Sequence, residues 1–165
     1  MTVRCVLVVL LAAALAACNG GGASGSLPQA CELLPQDFME EVLTEPVRKP
    51  TPTAANYGEL SACTFSLPAR SLDDYLGIYL MPAATAKDAL QLQAVAAEWK
   101  TRNAEADYEV LPNADYPMAW FPGQRKVYPS TFIILFEEVT LVITGIDLND
   151  AKAFAFKAMQ EHGWH

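Results

Sequence analysis

The sequence predicts one α+β domain, an antiparallel sheet with helices packed mainly on one face. Three observations predict it. Short β-rich or alternating runs occur at residues 62–67, 75–81 and 131–144, and two longer stretches, 85–102 and 147–161, repeat apolar residues at helical spacing. Pro- and Gly-containing segments punctuate the runs. Strands in pairs, each pair followed by a helix, suit an antiparallel sheet with helices laid against it.

The chain begins Met1-Thr2-Val3-Arg4, and an unbroken apolar run follows from Cys5 to Ala17. A membrane-spanning helix needs about 20 apolar residues. This run is shorter, and it fits the apolar core of a signal peptide with small residues at its cleavage site. A buried core helix is the alternative, opposed by the Gly-rich segment that follows at once. Residues Leu15-Ala16-Ala17-Cys18 resemble the bacterial lipobox, in which small residues precede the Cys and Leu stands three positions before it. The resemblance implies that Cys18 carries diacylglycerol and becomes the first residue after cleavage of 1–17. Ordinary secretory cleavage, leaving Cys18 as a spare thiol, is the alternative. Two or three acyl chains anchor stably, because each buried methylene contributes about 0.8 kcal/mol and a single chain is marginal. In Gram-negative bacteria Asp after the Cys retains lipoproteins at the inner membrane. Asn19 stands there instead, which implies delivery to the periplasmic side of the outer membrane wherever one exists.

Loss of residues 1–17 from the 165 leaves 148, the size of one domain. Net charge is −8, or −9 once Arg4 is gone. With no Lys/Arg cluster, an acidic chain is not steered to nucleic acid. If Cys5 leaves with the signal and Cys18 takes lipid, Cys31 and Cys63 are the remaining pair, in a compartment where disulfides persist. A two-Cys metal site is the rival reading. Zinc wants four ligands, however, and the two histidines, His162 and His165, lie far away at the other terminus.

Residues 18–26 are the acylated Cys and a flexible Gly/Ser tether, and 27–165 are the domain. Residues 35–44 form a short helix with Pro35 in its first turn and Phe38, Val42 and Met39 as its buried stripe. Residues 48–53, with Pro50 and Pro52, make a loop or an edge strand. Strands follow at 62–67 and 75–81. A helix starts at Thr85, capped with Asp88, and buries Leu92, Val95, Ala96 and Trp99. Short strands are expected at 108–111 and 118–121, before a Pro122-Gly123 turn. The hairpin at 131–144 turns at Glu137-Glu138. Its second strand sets an apolar face of Val139, Leu141 and Ile143 against a more polar face of Thr140, Val142 and Thr144. Asp147 caps a last helix, running to about Glu161, that buries Leu148, Ala151, Phe154, Ala155, Ala158 and Met159. The strand-strand-helix order occurs twice, which raises a duplication, though no residue identity supports one.

Chemistry is less legible. Nucleophilic catalysis needs a base beside Ser, Cys or Thr, and both histidines fall in a C-terminal stretch, EHGWH, that reads as a solvent-facing tail. Glu40-Glu41, Asp73-Asp74 and Glu137-Glu138 are adjacent in sequence, so on a regular element their side chains diverge. Nothing in the sequence calls for a cofactor or a metal. One stretch invites a binding reading, because aromatics with Arg are the usual anchors of interfaces. It contains Tyr116, Trp120, Phe121, Arg125 and Tyr128. The competing reading is core packing.

Cys31-x-Leu33-Leu34-Pro35, a short helix and Cys63-Thr64-Phe65 resemble a broad group of small bacterial lipoproteins of unknown function. In these a Cys-x-Leu-Leu start precedes a helix and a second Cys stands before an aromatic, commonly Trp where this chain has Phe65. The resemblance implies the Cys31–Cys63 disulfide and one α+β domain, and supplies no activity. The expected function is a membrane-anchored, non-enzymatic module of the cell envelope that binds an envelope protein or small ligand. An envelope hydrolase and an inhibitor or immunity-type protein are the alternatives. Convergent buried carboxylates would mark the first, a flat aromatic patch at Trp120 and Tyr128 the binder, and a protruding acidic loop the inhibitor.

Overall fold

The computed structural model describes residues 27–48, 50–55, 58–69, 75–103, 107–112, 115–124 and 127–165. The predicted signal peptide, Cys18 and the tether lie outside the described residues, as do Asp73-Asp74 and Arg125. Elements follow in the order 3-10 turn (Ala30–Glu32), α1 (Gln36–Leu43), β1 (Thr51–Pro52), β2 (Ser61–Ser66), β3 (Tyr75–Met81), α2 (Ala89–Asn103), β4 (Glu109–Leu111), β5 (Met118–Phe121), β6 (Thr131–Leu135), β7 (Thr140–Thr144) and α3 (Leu148–His162).

The strands among the described residues join one antiparallel sheet in the order β1-β2-β3-β7-β6-β5-β4. Two meanders, β1-β2-β3 and β4-β5-β6-β7, therefore meet along their last strands. The chain is an α+β domain with an antiparallel sheet, as expected. Ile78 pairs with Ile143 and Leu80 with Leu141 across the central seam. These four share a face with Cys63, Phe65, Leu76, Met118, Phe132 and Ile134, and on that face lie Met39, Leu43, Phe154, Ala155 and Ala158 of α1 and α3. A fully buried Leu, Ile or Phe contributes about 1.5–3 kcal/mol.

Among the described residues, α1 and α3 share that face and α2 lies on the other. Its Leu92, Ala96 and Trp99 cover Ala119, Phe121, Ile133, Leu135 and Val142. Connectivity explains this placement. The chain must pass from β3 near the centre to β4 at the far edge, and α2 makes that crossing over β7, β6 and β5. Consequently the more polar face of β7 is no solvent face, and every residue of β6 and β7 is buried. The Thr131 and Thr140 hydroxyls are buried there with no hydrogen-bond partner among the described residues. An unpartnered buried hydroxyl costs about 1–3 kcal/mol. Thr140→Val, of matching shape, is therefore expected to raise unfolding free energy by about 1 kcal/mol in a urea titration. A loss of stability would mean that the hydroxyl has an acceptor.

The same placement bears on the duplication. A two-fold axis relating antiparallel β3 and β7 stands normal to the sheet and keeps each face on its own side. The helices that follow these strands, α2 and α3, lie on opposite faces. The two halves are therefore not symmetric copies.

Helix boundaries follow local chemistry. Pro35 is the N-cap of α1 rather than its first helical residue, and Thr44 closes the helix in the left-handed region at φ 54°. Met39 and Leu43 are buried, with Phe38 and Val42 half-buried beside them. Sequence reading places the start of α2 at Thr85. Instead Asp88 accepts from the Gln91 backbone N–H at 2.8 Å, capping a helix that begins at Ala89. Asp147 caps α3 by accepting from the Asn149 and Asp150 N–H groups at 2.9 and 3.0 Å.

The C-terminal stretch departs most from expectation. Gly163 turns the chain at φ 65°, and Trp164 is only 3% exposed, its ring centroid 5.4 Å from Phe136. His162 is half-buried, with Nε2 3.1 Å from the Leu33 carbonyl oxygen, and the His165 N–H donates to Glu138 Oε2 at 3.0 Å. Trp164 and, in part, His162 are packed against the domain, whereas His165 is exposed, as expected.

Candidate functional site

The predicted surface runs along β5 and the segments on either side of it. A strand sends successive side chains to opposite faces, so Trp120 and Phe121 part. Trp120, half-buried, leans on the core shared with α1 and α3. Phe121 is wholly buried under the other face, 5.2 Å from the Tyr108 ring, and contributes nothing to a surface. Tyr116 and Tyr128 lie at opposite ends of the sheet, since one precedes β5 and the other follows it. The four of these residues that are described, Tyr116, Trp120, Phe121 and Tyr128, therefore do not make one flat aromatic patch, and Arg125 lies outside the described residues.

Each end has its own architecture. Beyond β5, Gly123 sits so tightly that a Cβ there would come 2.3 Å from the Ser130 nitrogen. The Gln124 N–H donates to the Tyr128 carbonyl at 3.1 Å, and the Val127 N–H to the Gln124 carbonyl at 2.9 Å. These bonds bring Gln124 and Tyr128 together in an antiparallel bridge, with Val127 58% exposed and Tyr128 half-buried. At the other end the Tyr116 ring packs edge-on against Phe136 (5.4 Å) and Phe156 (6.2 Å). The Lys87 Nζ stands 5.7 Å over it and 3.1 Å from Glu137 Oε1.

Beside Tyr116 is a cavity of about 220 Å³ lined by Lys87, Asp88, Leu92, Val110, Asp115 and Pro117, among others. Its walls mix apolar and charged side chains, and it is smaller than the roughly 300–1,000 Å³ typical of ligand sites. Sequence reading missed Lys87, Asp88 and Asp115. They come from the approach to α2 and the β4–β5 connection, and only the crossover of α2 brings these segments together, so no local spacing signals them.

The carboxylate pairs diverge where they are described. Glu40 Oε1 accepts from Gln36 Nε2 at 2.9 Å and from the Val47 N–H at 3.0 Å, and these bonds hold its pKa below the ordinary value. Glu137 pairs with Lys87 and Glu138 takes the His165 N–H, so the acidic β6–β7 turn is tied down rather than protruding. No three His, Cys, Asp or Glu side chains among the described residues are grouped to hold a metal ion.

Cys31 and Cys63 are joined, with Cα atoms 5.1 Å apart. The bond pins the 3-10 turn to β2, where Ala30 N–H also donates to Ser61 Oγ at 2.9 Å. Closing a loop of this length contributes about 3–4 kcal/mol in the chain-entropy model.

Under α2, burial is the main reason that the Tyr79 phenol titrates above its ordinary 10.0. Neighbouring Tyr75 and Glu59 push the same way, and the Thr144 hydroxyl opposes them. A raised folded pKa favours the neutral phenol. The stability it contributes is intact below pH 10 and is lost as pH rises through the folded value. The urea midpoint is expected to fall above that pH in the wild type and to fall less in Tyr79→Phe. Parallel curves would show that Tyr79 does not drive alkaline unfolding.

Comparison with protein-family models, with curated proteins and with solved structures gave no match. No helix among the described residues is long and apolar enough to cross a membrane.

Proposed function

We propose that the chain is a membrane-anchored envelope lipoprotein, held by acyl chains on Cys18, whose domain is a non-enzymatic binding or accessory module. The Cys31–Cys63 bond supports this reading most directly. A disulfide persists outside the reducing cytoplasm, and it leaves Cys18 as the mature chain's one thiol for the acyl group that Leu15-Ala16-Ala17 announces. Asn19 favours the periplasmic side of the outer membrane in a cell that has one. The binding surface in this reading is the one the sequence singles out, of which Val127 and Tyr128 are the exposed and half-buried members beyond β5; its occupant is an envelope protein or a small ligand.

Cells expressing the chain and fed an alkyne-tagged palmitate are expected to label it in the membrane fraction. Cys18→Ser should lose the label and the membrane association together. A labelled Cys18→Ser protein, or an unlabelled wild type, rejects the anchor. For the surface, Tyr128→Ala should change the set of proteins crosslinked to the chain in membranes. An unchanged set rejects that surface and leaves the anchor standing.

A further inference from the structure

We propose that the uncovered face of β1, β2 and β3 binds a carbohydrate, an uncharged chain of sugar rings seated on Tyr75 and Tyr79 and bonded by neighbouring threonine and serine hydroxyls. The proposal draws on this face alone and is independent of the anchor at Cys18 and of the surface beyond β5.

Alternation defines the face. Cys63, Phe65, Leu76, Ile78 and Leu80 turn into the core beneath α1 and α3. Thr64 and Ser66 of β2, and Tyr75, Gly77 and Tyr79 of β3, therefore turn the other way. The register carries this side onto β1, where Thr51 pairs with Thr64, and Thr64 in turn pairs with Gly77. On this side α2 lies over β5, β6 and β7 and reaches Tyr79 and Met81 of β3. Among the described residues, no helix covers β1 or β2 here.

Two rings stand on the face. Tyr75 is 41% exposed and Tyr79 is half-buried. The Tyr79 ring leans along the strand over Gly77, since a Cβ on that glycine would come 2.7 Å from Tyr79 Cε2 and 2.9 Å from its hydroxyl oxygen. A larger residue at 77 would lift the ring off the sheet. Trp99 of α2 meets the same ring at 5.4 Å and 64°, which fixes it from the helix side. A ring held in this way has little freedom left to lose on binding.

The hydroxyls are also held in place. Thr53 Oγ1 lies 2.7 Å from Thr64 Oγ1. Thr51, Thr53 and Ser66 are exposed and Thr64 is half-buried. Branching at Cβ restricts threonine to few rotamers, and next to Thr64 the Cys63 sulfur is bonded to Cys31 behind the strand. Thr51, Thr64 and Gly77 follow one another across the sheet at the strand spacing, about 4.8 Å.

This combination selects the ligand. A pyranose ring has two C–H faces and a rim of hydroxyl groups. An aromatic face carries the negative side of a quadrupole, which attracts polarised C–H bonds. Hydroxyls that both donate and accept suit the rim. No charged residue occurs in β1, β2 or β3, so these strands do not call for a charged ligand. At the border the buried Glu59 carboxylate lies close to Tyr79. Ala62 and Met81 are the aliphatic side chains on this side of the three strands, too few for the apolar centre of a protein interface.

The test is retention of the full chain, in detergent, on immobilised chitin, cellulose and mannan. The wild type is expected to be held by at least one of them and released by the matching soluble oligosaccharide. Tyr75→Ala should weaken that binding roughly tenfold, a usual loss for a truncated aromatic anchor. Tyr75→Phe should keep most of it, because the ring face is retained. Thr64→Val should weaken it severalfold by removing one hydroxyl, and Leu90→Ala, at an exposed site on α2, should leave it unchanged. Urea midpoints are measured alongside; where Tyr75→Ala lowers its midpoint, Thr64→Val decides, since valine keeps the strand's β-branching. Retention on none of the three, or equal affinity in the wild type, Tyr75→Ala and Thr64→Val, overturns the proposal. An equal loss in Tyr75→Phe and Tyr75→Ala overturns stacking as the mode of binding.

Discussion

Trp164→Ala is expected to lower the unfolding free energy by about 3–5 kcal/mol, the usual cost of deleting a buried aromatic. The indole is 3% exposed. It lies against Phe136 and His162 at centroid distances of 5.4 Å, and through Phe136 it joins the Tyr116 and Phe156 rings. Its backbone N–H donates to the Met159 carbonyl at 3.1 Å, and the next residue bonds the Glu137-Glu138 turn. Little can collapse into the space, because Gly163 and the capped end of α3 fix the backbone. A urea titration followed by far-UV circular dichroism measures the cost. A value below about 1 kcal/mol would mean that the tail is not docked in solution.

Gly145→Ala is expected to cost a similar amount for a different reason, on the order of 3–5 kcal/mol. Gly145 has φ 87°, a conformation that L side chains rarely adopt, and a Cβ there would come 1.9 Å from the Tyr75 carbonyl oxygen. That oxygen belongs to the backbone of central β3 and cannot swing aside. The Gly145 N–H is also bonded to the Ser130 carbonyl at 2.9 Å, so the corner is held from both sides. Gly163→Ala separates the two contributions. Gly163 has φ 65° but open space around it, so its substitution carries only the backbone cost, about 1 kcal/mol. Equal losses at both positions would show that the contact with Tyr75 contributes nothing.

Both positions show how far the amino-acid order reaches. Gly145 follows an apolar strand and precedes a helix cap, so a turn is legible there, but its closeness to Tyr75 is not. Trp164 sits in a stretch too short to carry a period, and its larger aromatic partner, Phe136, comes from the end of the β6 run, distant in sequence. The candidate surface behaved likewise. The aromatics of 116–128 are plain in the sequence, yet strand alternation at Trp120 and Phe121 and the span of β5 disperse them. The cavity beside Tyr116 left no sequence trace, because Lys87 and Asp115 meet only across a crossover.

The sequence by itself determined the elements. Alternation marked β2 and β7, β-rich runs marked β3 and β6, Asp147 marked the start of α3, and the lone pair of cysteines in the domain marked the disulfide that joins the 3-10 turn to β2. These are local signals, each written within a few residues or in a count. Only the tertiary structure decided which faces are covered. Alternation on β7 separates Leu141 from Val142 but cannot say that a helix lies over each, and Thr140 and Thr144 gave the wrong polarity for a buried face. That outcome followed from α2 having to cross the sheet between β3 and β4, a constraint that exists only once all seven strands are in order.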